Sequence, residues 1–186
     1  MTKKTSWAKE AEILRKKIYK NRKLMLEGRM LAIDPSCVSS SSKPGYAIFE
    51  KGKFTEQGIL DIPYHVDLAR RLIRIRENIE LYFKDSADIV FIEKIPPKPL
   101  FTKKKAEAKG KMFMNLKSHG SIMQAIGATK CSFNEDTPII DLPAGIWSWF
   151  KKKHELQLEK NDDNDAFCIG WCALTILHEL MVDEDE

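Results

Sequence analysis

Four acidic residues have the types and positions expected of a site for a divalent metal ion. Asp34 ends the apolar run MLAID, Glu93 ends the run IVFIE, and Asp162 and Asp165 precede the apolar run AFCIGWCAL. Carboxylate oxygens in this number suit one or two hard cations such as Mg²⁺. Two such ions about 3.5–4 Å apart can activate water and stabilise the leaving oxygen during phosphodiester hydrolysis. The four acids therefore predict metal-assisted hydrolysis of a phosphodiester.

Each of these acids also has a structural explanation. Asp34 precedes a proline, where a turn residue is ordinary, and Asp162 or Asp165 would serve as a helix N-cap. Glu93 is harder to explain in this way, because a carboxylate near a core costs free energy unless it is paired or binds a metal. Asp162 and Asp165 share one helical face, whereas Asp163 is expected to point elsewhere. A structural role for all of them together is much less expected than for any one.

The apolar periodicity predicts the elements that must carry these acids. Strands are predicted at 29–34, 45–50, 54–62, 88–93 and 138–142, and helices at 5–26, 64–84, about 112–128, 143–153 and about 164–180. A hairpin followed by alternating strands and helices predicts an α/β mixed sheet with helices on both faces. Such a sheet brings the strand ends at 34 and 93 to one edge. Gly120, Ala125 and Gly127 are expected to permit close packing of their helix, and residues 183–186 are expected to lie outside regular structure.

The charge of the chain is unevenly distributed. The formal net charge is only +4, but residues 1–30 hold ten Lys or Arg and residues 94–117 hold eight Lys. Basic clusters on a chain close to neutrality predict a surface that faces a polyanion, although solvated helix faces explain either cluster alone. We divide the chain into a basic helical extension at 1–28, a main domain at 29–180 and an acidic tail at 181–186.

The cysteines and the hydropathy pattern argue for an ordinary reduced, intracellular protein. Cys37, Cys131, Cys168 and Cys172 form no CxxC pair and no zinc spacing, and the last two are expected to be buried small residues on one helix face. The first residues contain no apolar segment of a signal peptide, and no apolar stretch reaches the roughly 18 residues of a membrane span. We expect no membrane contact, and a location in the cytoplasm of a prokaryotic or phage-infected cell.

Five segments resemble motifs of the RuvC family of Holliday junction resolvases, in the ribonuclease H-like superfamily. They are LAIDPS with GYAIFE, then FIEK, HGSIMQAIGA, DLPAGIWSWFKK and DDNDAFCIGWCAL, and together they span about residues 30–178 in the family's order. The resemblance implies a ribonuclease H-like mixed five-stranded sheet, here with an N-terminal helical extension that the short bacterial members lack. Phage members are diverse enough to include such a chain.

By this resemblance Asp34, Glu93, Asp162 and Asp165 would bind Mg²⁺, with Mn²⁺ as a substitute. Lys151 or Lys152 would lie near the scissile phosphate and offset its developing charge. The resemblance also implies a homodimer that nicks a four-way DNA junction symmetrically, since two identical sites on a two-fold axis match a two-fold substrate. Lysine clusters at 3–23 and 98–111 would track backbone phosphates. The DNA-contacting residues would be Lys98, Phe101, Lys103, Lys104, Lys105, Lys109, Lys111 and Lys117, of which Phe101 is a candidate wedge, with ordinary loop packing as its alternative.

Other classes of protein remain open. A broader branched-DNA or flap nuclease would use identical chemistry. An exonuclease of the DEDD type would have a second acid two residues after Asp34, where this chain has Ser36, and ribonuclease H itself has its glutamate on a helix, whereas Glu93 ends a predicted strand. A non-catalytic junction-binding protein would not need all four acids. An actin-like phosphotransferase would need a Gly-rich phosphate loop and a longer chain.

Overall fold

The computed structural model describes residues 6–35, 43–62, 67–95, 109–154 and 162–185, with the backbone alone for 6–7, 109–118, 162 and 184–185. Within these ranges the helices are α1 (Ser6–Lys20), α2 (Arg22–Glu27), α3 (Leu68–Tyr82), α4 (Lys109–Lys130), α5 (Ala144–Lys153) and α6 (Asp162–Asp185). The strands are β1 (Arg29–Asp34), β2 (Gly45–Glu50), β3 (Lys53–Ile59), β4 (Ile89–Lys94) and β5 (Ile139–Pro143).

The strands form one mixed sheet in the order β3-β2-β1-β4-β5. β2 is antiparallel to both β1 and β3. A tight turn at Lys51 and Gly52, both with positive φ, joins β2 to β3. β1, β4 and β5 are parallel neighbours, so their carboxyl ends meet at one edge. The prediction of an α/β mixed five-stranded sheet with helices on both faces, preceded by N-terminal helices, is confirmed.

The two faces of the sheet carry separate cores, as predicted. Alternate residues of the central strands, such as Ala32 and Phe91, pack with α1, α2, α5 and α6 on one face. Their neighbours, such as Ile33 and Ile92, pack with α3 and α4 on the other face. β1 and β4 are buried along nearly their whole length, since strands covered on both sides are apolar throughout.

The last helix is both long and apolar. Residues Asp163–Asp183 are long and apolar enough to cross a membrane by length and composition, which corrects the expectation that no segment reaches that length. The fold gives a simpler account, because α6 lies across β1, β2 and β3 and buries Cys168, Ile169 and Cys172 completely. A helix with this position in a core passes the same test.

Several predicted boundaries differ from the structure. The first helix is interrupted at Asn21, which separates α1 from α2, and α6 continues to Asp185 instead of ending near 180. α4 begins at Lys109, so that residue and Lys111 lie in a helix and not in a loop. The prediction that Gly120 and Gly127 permit close packing is wrong, since a Cβ atom at either position would meet nothing within 4 Å.

Candidate metal site

Asp34 and Glu93 lie next to each other at the carboxyl edge of the sheet. The parallel register of β1 and β4 pairs Ile33 with Ile92, so the two acids follow at the next step of both strands. Side chains alternate along a strand, and Ala32 and Phe91 face α6, so Asp34 and Glu93 point to the α6 side as well. Asp34 is 6% exposed and Glu93 is half-buried.

The first turn of α6 lies over this same edge. α6 runs antiparallel to β1, because its residues Asp163 and Asn164 contact Gln57, near the carboxyl end of β3, while Gly170 packs against Phe49, near the opposite edge. The side-chain amide of Gln57 donates to Asp163 Oδ2 at 3.2 Å and to Asn164 Oδ1 at 2.9 Å. These two hydrogen bonds tie the start of α6 to the sheet.

Asp165 contacts a lysine on the neighbouring helix. The Nζ atom of Lys151, in the last turn of α5, donates to Asp165 Oδ1 at 3.0 Å, and both side chains are largely buried. Lys152, the other candidate, is exposed. Of the two lysines that the sequence could not separate, Lys151 is therefore the one in contact with a predicted metal ligand.

Three groups of α6 show the electrostatic character of this region. Asp163 Oδ1 is buried and has no hydrogen-bond partner among the described residues. Burial raises the pKa of the Cys168 thiol to about 11, with Lys151 acting in the opposite direction and Asp165 raising it further. Burial also raises the pKa of Cys172 to about 12. Both thiols are therefore protonated near neutral pH, which agrees with their predicted role as buried small residues.

The described acids do not form a complete metal site in this conformation. Among the residues with described side chains, no group of three His, Cys, Asp or Glu has the geometry to hold a metal ion. Asp165 is directed to Lys151, and the side chain of Asp162, which opens α6, lies outside the described atoms. The predicted ligands are nevertheless all carboxylates, which bind metals through oxygen. The buried Oδ1 of Asp163 is a further acceptor on the same turn of α6. These ligands match the preference of Mg²⁺.

The predicted DNA-contacting residues fall mostly outside the described structure. Lys98, Phe101, Lys103, Lys104 and Lys105 lie outside the described residues. Lys109, Lys111 and Lys117 lie in α4, with the backbone alone described. The wedge role of Phe101 and the phosphate contacts of these lysines thus stay predictions.

Two residues of this region, Gln57 and Glu10, were missed by sequence reasoning. Gln57 lies 106 positions before Asp163 in the chain, and neither residue belongs to a motif that would connect them. Glu10 of α1 accepts a hydrogen bond at 3.1 Å from the Nζ atom of Lys94, the residue that follows Glu93 on β4. The acidic run DDND was the available signal for Asp163, but its contact with β3 depends on the placement of α6 over the sheet.

The fold is similar to two solved structures of RuvC from Thermus thermophilus. One, in complex with a Holliday junction substrate, has a TM-score of 0.48 and 10% sequence identity, covering 83% of this chain and 96% of that chain. The other has a TM-score of 0.42 and 11% identity, covering 82% and 96%. No protein-family model and no curated protein matches the chain. Likeness at this identity concerns the fold alone, so the chemistry must be judged from the acids themselves.

Proposed function

We propose that the chain is a Mg²⁺-dependent, structure-selective DNA endonuclease that resolves four-way junctions by paired symmetric nicks. The observation that carries the proposal is the adjacency of Asp34 and Glu93 at the carboxyl edge of parallel strands, on the face where α6 begins with Asp162 and Asp165. Three separate elements, β1, β4 and α6, carry acids at this edge, and carboxylates close to a core are retained where they are paired or bind a metal.

Within this proposal, Asp34, Glu93, Asp162 and Asp165 hold Mg²⁺, and Mn²⁺ substitutes for it. The bound metal would supply an activated water and neutralise charge on the scissile phosphate. Lys151 has two roles that follow from its ion pair with Asp165. It compensates that carboxylate before metal binds, and its ammonium group is placed to offset negative charge that develops on the phosphate.

The decisive experiment is Asp34→Asn assayed on a synthetic four-way junction with Mg²⁺. We expect the wild type to nick the junction at symmetric positions, and the variant to bind the junction without cutting it, because an amide is a much weaker metal ligand than a carboxylate. The matched control is Asp136→Asn, since Asp136 is exposed in the turn before β5, at the opposite edge of the sheet. The control should cut as the wild type does.

The other outcomes distinguish the competing functions. Full cleavage by Asp34→Asn would remove the proposed ligand set. Cleavage of flaps or splayed arms at the same rate as junctions would favour a broader branched-DNA nuclease with this chemistry. Junction binding without cleavage by the wild type, with both Mg²⁺ and Mn²⁺, would identify a non-catalytic junction-binding protein.

The proposal also requires two active sites on one junction. Symmetric nicking of a two-fold substrate needs two copies of the chain related by a two-fold axis. Light scattering should therefore give twice the chain mass of 21.4 kDa, alone or on the junction. A single copy on the junction that still produced paired nicks would contradict the homodimer.

A further inference from the structure

The first helix contacts the carboxyl edge of the sheet, where Asp34 and Glu93 also lie. Lys94, which follows Glu93 on β4, is ion-paired with Glu10 of α1 at 3.1 Å. Glu10 and Lys17 of α1 line a cleft of about 200 Å³ together with Lys94 and Pro143, at the carboxyl ends of β4 and β5. α1 thus begins at the carboxyl edge and runs toward the opposite edge of the sheet, where Arg15 meets Asp183 near the end of α6.

Three cations of α1 and α2 form ion pairs within the described residues, and Arg22 hydrogen-bonds the carbonyl of Tyr19 and lies over its ring, but three exposed lysines of α1 do neither. Arg15 is paired with Asp183 at 3.5 Å, Lys16 with Glu12 at 3.2 Å, and Lys23 with Glu27 at 3.8 Å. Lys9, Lys17 and Lys20 are exposed and form no ion pair with any residue of the described ranges. An exposed cation without a partner leaves its charge available to a ligand.

The three lysines face away from the core. Leu14 and Ile18, at 3% and 0% exposure, hold the inner side of α1 on the protein. Lys9 and Lys20 are about three helical turns apart and share the outer side of α1, whereas Lys17 lies on the flank that faces the cleft with Glu10 and Lys94. From Lys9 to Lys20 the row extends about 16 Å at 1.5 Å per residue. This length is comparable to several successive phosphates of a DNA strand.

We infer that Lys9, Lys17 and Lys20 of α1 form a contact surface for DNA backbone phosphates, along which one arm of the substrate leaves the site. The partner is a nucleic acid strand because these lysines are exposed, form no ion pair within the described residues, and lead away from the carboxyl edge of the sheet, where Glu10 and Lys94 attach α1. Phosphate contacts carry no base information, so this surface adds affinity and orientation without sequence preference. The inference rests on the proposed function for the identity of the substrate, but its test does not need cleavage.

The test compares junction affinity for the wild type and a triple variant, Lys9→Gln, Lys17→Gln and Lys20→Gln, without divalent metal and over a series of salt concentrations. The affinity at 0.1 M salt should fall about ten-fold or more, and the slope of log K against log salt should decrease by about 0.9 for each phosphate that the variant no longer neutralises. The matched control is Lys51→Gln, Lys53→Gln and Lys84→Gln. These lysines lie at the opposite edge of the sheet, in or beside the β2–β3 turn and before β4, and carry the same charge.

The control should keep the affinity and the salt slope close to those of the wild type. An equal reduction of affinity in both triple variants would show a dependence on net charge alone and would overturn the inference, as would a triple α1 variant with wild-type affinity and slope. Junction cleavage by that variant would then leave the endonuclease intact. Weaker binding by the α1 variant with no cleavage by the wild type would support the DNA surface and remove the proposed function. If the triple α1 variant unfolds at a lower temperature than the wild type, the junction affinities and salt slopes of the three single variants test the inference instead.

Discussion

Lys151 and Lys152 are neighbours in the sequence but have different surroundings. The ammonium group of Lys151 lies 3.0 Å from Asp165 and is largely buried, whereas Lys152 is exposed. Exposed ion pairs contribute little, but a buried partner that is removed leaves an uncompensated charge. In the proposed mechanism, the position on α5 that points to α6 is therefore the one that would influence both the metal and the phosphate.

We expect Lys151→Gln to lower kcat on a four-way junction by about 10²–10³-fold, the usual cost of losing one group that stabilises transition-state charge. The concentration of Mg²⁺ for half-maximal activity should stay equal or fall, because the ammonium group competes with the metal for Asp165. Single-turnover cleavage over a Mg²⁺ series separates these two quantities. Lys152→Gln should cut at the wild-type rate. A reversed pattern, with Lys152 as the sensitive position, would contradict the assignment.

The residues of the site differ in how far the sequence alone could predict them. Asp34 and Glu93 end apolar runs, and a charge at the end of a buried strand is visible in the sequence because such strands are continuous and apolar. The donor for Asp163 and Asn164 was not visible, because Gln57 is an ordinary polar residue on an edge strand and meets them only through the tertiary fold. The choice between Lys151 and Lys152 needed the angle between α5 and α6.

Contact between α6 and the hairpin depends on one glycine. A Cβ atom at Gly170 would overlap the ring of Phe49 on β2, and that ring is 1% exposed and stacks with Phe167 at 6.0 Å and meets Phe54 at 5.7 Å. A ring held on several sides cannot move aside cheaply, because core packing is as dense as in organic crystals. The absence of a side chain at Gly170 is what lets α6 lie so close to the sheet.

Gly170→Ala should lower the free energy of unfolding by about 1–3 kcal/mol through this overlap. Gly127→Ala is the matched control, since it also lies inside a helix but its Cβ atom would meet nothing within 4 Å. The control should raise the free energy of unfolding by about 0.5–1 kcal/mol, because alanine loses less conformational entropy than glycine in a helix. Urea denaturation of both variants measures the difference. Similar values for the two would mean that the ring of Phe49 gives way.

At the scale of elements, apolar periodicity predicted the existence and type of the helices and strands better than it predicted their boundaries or their packing. Alternation and helical spacing report which face is buried, and that face is set by the two cores. The same pattern does not show which other elements pack closely against a helix. The glycines of α4 were therefore assigned a close-packing role that the structure gives to Gly170 of α6. The break between α1 and α2 at Asn21 was not visible in the apolar spacing, because Met25 of α2 is buried in the same core as the apolar residues of α1.

At the scale of the whole molecule, the topology of the sheet could be predicted from the order of strands and helices along the chain. A hairpin followed by strands with helical crossovers leaves few topologies, because parallel crossovers are right-handed and sequential strands tend to pair. The relation of the N-terminal helices to that sheet could not be predicted in the same way, since a narrow apolar stripe fits either a partner or the main domain. The structure places Leu14, Ile18 and Met25 in the core with α6 and the sheet.

This placement predicts that α1 and α2 are required for folding. Ile18→Ala should lower the free energy of unfolding by about 2–5 kcal/mol, the usual cost for a fully buried isoleucine. Ile13→Ala is the matched control, because Ile13 is on the same helix and 55% exposed, and it should change stability far less. Both values follow from chemical denaturation monitored by circular dichroism.

Deletion of residues 1–27 extends the same argument. It removes Leu14, Ile18 and Met25 together, and at about 1.5–3 kcal/mol for each buried side chain the loss approaches the whole stability of a domain, about 5–15 kcal/mol. The truncated chain should therefore show no cooperative thermal transition. A shortened protein that unfolds cooperatively at the wild-type temperature would mean that these helices are a dispensable extension. DNA contacts of α1 are for this reason better tested by replacing its outer lysines than by removing the helix.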